Sequence, residues 1–321
     1  MNVPDLALLT FGPVPSRRLG RSLGINNIPP KNCSYSCLYC QVGRTLHREI
    51  QPREFYKPAD IFQAVQARVA AVQAAGEKID YLTFVPDGEP TLDSQLDGTI
   101  GLLRRLDIKI AVISNASLIW REDVQTKLHN ADTVSLKLDT VDENQWKQIN
   151  QPHEDLNLLK ILQGIESFAK KFKGSLITET MLLADINDSR ESVTAVAEFL
   201  TGVQPATAYI AVPTRPTSEA NIFPPAEEVI VQAYDIFSEK LADVEYLIGY
   251  EGNAFAFSGD IEQDLLSITA VHPMREEAVN EMLSKAELGW ESVQKLIENK
   301  QLKKVEFAGK VFYVRQLATN R

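Results

Sequence analysis

All three cysteines of the chain fall in one eight-residue stretch, Cys33-Ser-Tyr-Ser-Cys37-Leu-Tyr-Cys40. Thiolates at C-x3-C-x2-C spacing on a short loop can hold three irons of a [4Fe–4S] cube. Such clusters are ordinarily tied down by four cysteines, so one iron is left without a cysteine ligand. An iron open in this way can bind a small molecule, which turns an electron carrier into a catalyst. Two other readings of the triplet compete. Disulfides fit poorly, because the count is odd and cysteine is otherwise avoided, a usage that suits a reducing cytosol. A structural zinc site fits better, since His47 lies seven residues beyond Cys40 and could join the thiolates in a tetrahedron.

A second candidate is the loop Pro86-Asp87-Gly88-Glu89-Pro90-Thr91. Asp-Gly and Glu-Pro are turn dipeptides, so a plain turn is one reading. The other is chemical. A carboxylate and an exposed strand end about fifty residues past the cysteines could receive the ammonium group of an amino-acid ligand. That ligand would chelate the open iron through its own amino and carboxylate groups.

These residues need a frame. Ile61, Phe62, Val65, Val69 and Val72 recur at helical spacing, and Gly76 follows as a stop. The strand Tyr81-Leu-Thr-Phe-Val85 comes next. Helices near 93–105 and 121–129 precede strands at 108–113 and 133–138. Helices near 154–172 and 189–200 precede strands at 176–183 and 208–212. With a first strand near 19–26, the pattern predicts six strands joined by helical crossovers, an α/β chain forming a partial (β/α)6 TIM-like barrel over residues 1–258. Such barrels carry their chemistry on loops at the carboxyl ends of the strands. Near residue 258 the pattern changes to helix, helix, helix and a hairpin at Ala308-Gly309. That order predicts a winged-helix domain over 259–321.

Cys33-x3-Cys37-x-Tyr39-Cys40, with an aromatic before the last cysteine, followed by Asp87-Gly88-Glu89-Pro90, resembles the radical S-adenosylmethionine (radical SAM) superfamily. The resemblance covers roughly residues 15–250. Asp87 departs from it, standing where many members have a first glycine, while Glu89 keeps its place. Phe11-Gly-Pro-Val-Pro-Ser-Arg-Arg-Leu-Gly20 and Thr214-Arg215-Pro216 further resemble a branch related to wyosine-forming and molybdopterin-precursor enzymes. The resemblance implies a [4Fe–4S] cluster on Cys33, Cys37 and Cys40 that reductively cleaves S-adenosylmethionine (SAM). The resulting 5′-deoxyadenosyl radical would abstract hydrogen from a substrate. By the same resemblance Tyr39 lies against the adenine, and Gly88 and Glu89 of the Asp87-Gly88-Glu89 loop hold the methionine amino end. Lys137 or Asp139 contacts the ribose, and Asn115 is a further polar candidate. A one-electron reductant such as flavodoxin or ferredoxin is implied as partner. With no cysteine left for an auxiliary cluster, RNA, a nucleotide or a small metabolite is favoured over a peptide as substrate.

Each residue also has a plainer role. Tyr39 could simply pack, and Lys137 and Asp139 alternate with Leu136 and Leu138 as on a half-buried strand. Barrel strands are apolar on both faces, so a charge at a strand end favours function for Asp139. Glu179 and Arg215 suit either a structural ion pair or substrate binding. Arg17, Arg18 and Arg21 suit either a solvated loop or an anionic substrate. His129, His153 and His272 lack metal-ligand spacing.

At 321 residues, 44% hydrophobic and 24% charged, the chain can bury one large core plus a small appendage. No basic start followed by an apolar run resembles a signal peptide, and no stretch approaches a membrane span, so a cytoplasmic location is expected. A net charge of −10 argues against a broad nucleic-acid footprint. Residues 271–321 carry nine basic and seven acidic side chains, which leaves nucleic-acid contact through the winged helix open. The competing function is a zinc-stapled, winged-helix nucleic-acid-binding regulator.

Overall fold

The computed structural model describes residues 8–249, 255 and 260–316. It opens on an antiparallel hairpin of β1 (Thr10–Ser16) and β2 (Gly20–Ile25). Two short strands, β3 (Asn32–Cys33) and β4 (His47–Arg48), flank the cysteine loop and pair with each other. Helix and strand then alternate: α1 (Pro58–Ala74), β5 (Tyr81–Phe84), α2 (Leu96–Leu103), β6 (Lys109–Ser114), α3 (Glu122–Leu128) and β7 (Thr133–Lys137). Two helices, α4 (Glu143–Asn150) and α5 (Leu158–Lys171), lead to β8 (Ser175–Met181). The series ends with α6 (Arg190–Val203), β9 (Thr207–Ala211), α7 (Glu227–Ser238) and β10 (Val244–Leu247).

These strands form one eight-stranded sheet in the order β1-β2-β5-β6-β7-β8-β9-β10, parallel from β2 onward. The sheet is an open half-barrel, because β1 and β10 have no second strand partner among the described residues. Its interior strands read as apolar runs because both faces are covered: Leu82, Phe84, Ile110, Val112, Val134 and Leu136 are fully buried. Each such side chain contributes roughly 1.5–3 kcal/mol by leaving water. The helices turn matching faces inward. In α5, Leu158, Ile161, Ile165 and Phe168 are buried at helical spacing, and Asn157 caps the first turn by accepting from the Lys160 N–H.

The six expected strands correspond to β2 and β5–β9, and the sheet corrects their number to eight. The added strands are the two edges. In β1, Gly12, Pro13 and Pro15 interrupt any strand pattern, and proline is tolerated there because an edge needs fewer ladder donors. Only four residues long, β10 buries Val244 while Glu245 faces solvent.

Beyond the half-barrel come α8 (Ile261–Thr269), β11 (Met274–Arg275), α9 (Glu276–Lys285), α10 (Glu291–Glu298), β12 (Leu302–Phe307) and β13 (Lys310–Arg315). The three strands form a separate sheet in the order β11-β13-β12. A second apolar core joins Leu265, Ile268, Met282, Leu296 and Tyr313 to Phe11 and Val14 of β1. This edge strand therefore pairs with the large sheet while its side chains pack into the second core. Arg68 of α1 reinforces the junction, donating to the Gly12 carbonyl and to Asp264 Oδ1, each at 2.8 Å. The expected boundary between residues 258 and 259 lies outside the described residues. Among the described residues no helix is long and apolar enough to cross a membrane.

Candidate functional site

The carboxyl ends of the parallel strands surround a cavity of about 260 Å³. Cys33, Cys37 and Cys40 all line it, together with Tyr39, Asp87, Gly88, Glu89, Asn115 and Lys137. The cysteine loop is held by its backbone. Leu38 N–H donates to Ile149 O (2.9 Å), Ser36 N–H to Asn150 O (3.0 Å), and Glu49 N–H to Cys33 O (3.1 Å). Ser218 Oγ donates to Cys37 O at 2.9 Å. Burial raises the pKa of every thiol: Cys33 well above the usual range, helped by Glu89, and Cys37 to about 12, helped by Asp139. Cys40 is raised by burial and then by Asp87. Thiols in this setting stay protonated and inert until a metal displaces the proton.

The loop after β5 passes close beneath the cysteines. Asn32 and Gly88 form a bridge, and Glu89 N–H donates to Asn32 O at 3.0 Å. A Cβ at Gly88 would strike that same carbonyl oxygen, so the approach requires glycine. Glu89 is buried, with its carboxylate ringed by donors. Oε1 accepts from Thr91 N–H (3.1 Å), Thr91 Oγ1 (2.6 Å) and Ser114 Oγ (2.8 Å), and Oε2 from Asn115 N–H (2.7 Å). Burial outweighs these bonds and raises its pKa. Asp87, buried and raised likewise, pairs with Lys31 Nζ at 2.9 Å.

Asn115, at the end of β6, sends Nδ2 to Cys33 Sγ (3.4 Å) and Ser34 Oγ (3.0 Å). Tyr39 donates its hydroxyl to Asp139 Oδ2 at 2.5 Å, and Lys137 Nζ lies 5.1 Å from its ring centre. Lys137 also bonds Glu179 Oε1 at 2.7 Å, and burial lowers its pKa. Asp139 stands apart from the other candidates. It does not line the cavity but lies behind Tyr39, where it also accepts from Asn150 Nδ2 (2.7 Å) and Met181 N–H (3.0 Å).

The arginine cluster separates. Arg18 enters the cavity and pairs with Glu179, whereas at the opposite end of the sheet Arg21 pairs with Glu77 and donates its backbone N–H to Asp80 Oδ2. Arg17 reaches the Tyr246 carbonyl of β10 at 3.4 Å. Arg215 lines the cavity and donates to Gln41 Oε1 at 3.0 Å, while Glu179 pairs with Arg18 and Lys137. His47 is exposed on β4 and does not line the cavity. Three residues escaped sequence reasoning: Lys31, Gln41 and Asn150. Lys31 and Gln41 sit within a few residues of the triplet and carried a positional signal. Asn150 carried none, since its role depends on α4 ending beside Cys37.

The donor set fits a cluster. Three thiols spread around one cavity, two of them already met by amide donors, suit separate irons of a cube. Among the described residues no three His, Cys, Asp or Glu side chains are placed to grip a single ion. The zinc reading with His47 is therefore not favoured.

Half-barrel, cysteine loop and strand-end carboxylates define an iron–sulfur enzyme that works on SAM. The chain belongs to the Radical SAM superfamily, which it matches over residues 27–200; members use a [4Fe–4S] cluster and SAM. It is 51% identical over 311 residues to UPF0026 protein MJ1312 of Methanocaldococcus jannaschii, covering 96% of each chain. Its fold is similar to a radical SAM methyltransferase from Sphaerobacter thermophilus, with a TM-score of 0.53 and 15% identity over 71% of this chain and 66% of that one. It is also similar to TYW1 with a lysine-pyruvate adduct bound, with a TM-score of 0.53 and 16% identity over 69% of this chain and 74% of that one.

Proposed function

We propose that Cys33, Cys37 and Cys40 hold a single [4Fe–4S] cluster and that SAM lies across the ends of β5, β6 and β7. The observation that carries this reading is the convergence of all three thiols with Asp87, Gly88, Glu89, Asn115 and Lys137 on one cavity. The chemistry supplied by the bound cofactors is reductive cleavage of the sulfonium, yielding a 5′-deoxyadenosyl radical that takes hydrogen from the substrate. The chain's own residues bind and orient. Gly88 lets its loop lie against Asn32 and so seats Glu89 beside the cysteines, and Glu89 Oε2 keeps a lone pair for an ammonium group. Tyr39 offers a ring fixed by Asp139 for the adenine, so Asp139 acts through Tyr39. Val85, Val212, Leu247 and Val271 keep the lining partly apolar and exclude water.

For substrate we favour a small anionic molecule, such as a nucleotide or an acidic metabolite. Arg18, Lys31, Lys137 and Arg215 outnumber Asp87, Glu89 and Glu179 on the lining. We read residues 259–321 as a winged-helix unit, which the order of helices and the three-stranded sheet supports. Its basic side chains are partly neutralised, Lys295 by Glu262 and Lys304 by Glu276. Since Val271 belongs to the lining, the unit serves as a wall of the substrate cavity rather than as a nucleic-acid reader. A cytoplasmic setting and a low-potential one-electron donor, such as flavodoxin or ferredoxin, complete the proposal.

The test is anaerobic reconstitution. The protein should turn brown, take up about four irons per chain, and release 5′-deoxyadenosine when SAM and dithionite are added. Cys37→Ala should lose both cluster and cleavage. A colourless protein that takes up one zinc and no iron would overturn the reading.

A further inference from the structure

Two asparagines from different elements, Asn115 after β6 and Asn150 at the end of α4, touch the cysteine sulfurs. Asn150, the last residue of α4, is 4% exposed. Its Nδ2 stands between two partners, donating to Cys37 Sγ at 3.4 Å and to Asp139 Oδ2 at 2.7 Å. Asn115 donates to Cys33 Sγ at 3.4 Å and is oriented by its own Oδ1, which accepts from Ser117 N–H at 2.9 Å. Neither amide is free to turn away. Among the described residues Cys40 has no side-chain amide on its sulfur; its charged neighbours are Asp87, Lys31 and Lys137.

We infer that Asn115 and Asn150 are positioning residues that set the reduction potential of the cluster, each through an amide N–H on one ligand sulfur. The inference rests on the cluster proposed above and extends it to regulation of the same site. The physical reason is electrostatic. Reduction adds one negative charge to the cluster, and part of that charge falls on the ligand sulfurs. A donor aimed at a sulfur stabilises the reduced state more than the oxidised one and raises the potential. Asn150 does so beside a carboxylate that acts in the opposite sense. By bonding both Cys37 and Asp139, it sets a positive dipole end between the buried charge and the sulfur. An apolar side chain of similar size would leave Asp139 facing Cys37 unshielded.

The experiment is a potentiometric titration of reconstituted full-length protein, followed by absorbance and electron paramagnetic resonance, without SAM or substrate. Asn150→Leu and Asn115→Leu should each keep four irons per chain and become harder to reduce. At a fixed solution potential the reduced-to-oxidised ratio should fall roughly tenfold, which is about 59 mV for a one-electron couple. Asp139→Asn should shift the potential the other way, because it removes negative charge beside Cys37. Mere loosening of the loop would move all three variants alike. If Asn150→Leu cannot hold its iron, Asn115→Leu decides alone. Unchanged potentials in iron-replete leucine variants would overturn the inference. An unaltered protein that binds no iron would instead overturn the functional reading, and this inference with it.

Discussion

The two walls of the cavity bury polar groups in opposite ways. On the wall formed by β5, β6 and the cysteine loop, carboxylates are met mainly by dipoles: Glu89 by Thr91, Ser114 and Asn115, and, behind Tyr39, Asp139 by Tyr39, Asn150 and a backbone N–H; Asp87, paired with Lys31, is the exception. On the wall formed by β8, β9 and the first hairpin, whole charges meet. Glu179 lies between Arg18 and Lys137. Dipoles anchored at both ends fix one shape whatever arrives, which would suit the SAM that the proposed function assigns to this wall. Ion pairs can exchange partners with an incoming ion, which suits a substrate.

The charged wall should be the more costly one to disturb. Glu179→Gln leaves Arg18 and Lys137 together with no carboxylate between them. Removing one partner of a buried pair costs about 3–5 kcal/mol, which urea unfolding of the iron-free protein can measure. A loss below about 1 kcal/mol would mean that the two cations find other partners, and the contrast between the walls would collapse.

The dipolar wall makes a different prediction, about pH. Asp93, just past the Glu89 turn, is buried, and among the described residues its carboxylate accepts from the Gln95 N–H (2.8 Å) and Asn27 Nδ2 (3.2 Å). Burial, which these dipoles do not offset, raises its pKa from 3.8 to about 6. The folded protein then keeps a proton that the unfolded chain has already lost between those values. Stability therefore falls as pH rises through that window, by ~3 kcal/mol for a displacement of this size. Asp93→Asn should remove this contribution to the slope without touching the cavity. Parallel stability–pH curves for the two proteins between pH 4 and 7 would show that the dipoles hold the charge as well as an ion pair does.

Legibility from sequence followed the same division. The dipolar wall was the readable one, because Cys33, Cys37, Cys40 and the Asp87-Gly88-Glu89 loop are local patterns and the strands that carry them are continuous apolar runs. What hid there was Asn150. The helix that delivers it, Glu143–Asn150, carries only two apolar residues, Trp146 and Ile149, too few to mark a helix in the sequence. The charged wall was harder. Arg17, Arg18 and Arg21 form one cluster in sequence but part in space, because a turn lets only Arg18 point into the half-barrel. Edge strands β1 and β10 were missed for a related reason. Their residues are fixed by what packs on them, α8 for β1 and β9 for β10, and not by a pattern of their own.

The smallest predicted effect tests how the charged wall is braced from outside. Gln41 follows Cys40 directly and ties three parts together. Its Nε2 donates to the Val271 carbonyl at 3.0 Å, and its Oε1 accepts from Arg215 at 3.0 Å. Gln41→Ala breaks both bonds but leaves the Arg68–Asp264 pair at the far side of α8. Overall stability should drop by about 1 kcal/mol, a change near the limit of an unfolding curve. The local effect should be easier to see. With its brace gone, the turn at Val271 opens more often than the rest of the unit, so amide exchange should speed up at Val271 and His272 while α9 stays protected. Uniform acceleration across residues 260–316 would instead mean that Gln41 holds the whole unit in place, and that the charged wall is as rigid as the dipolar one.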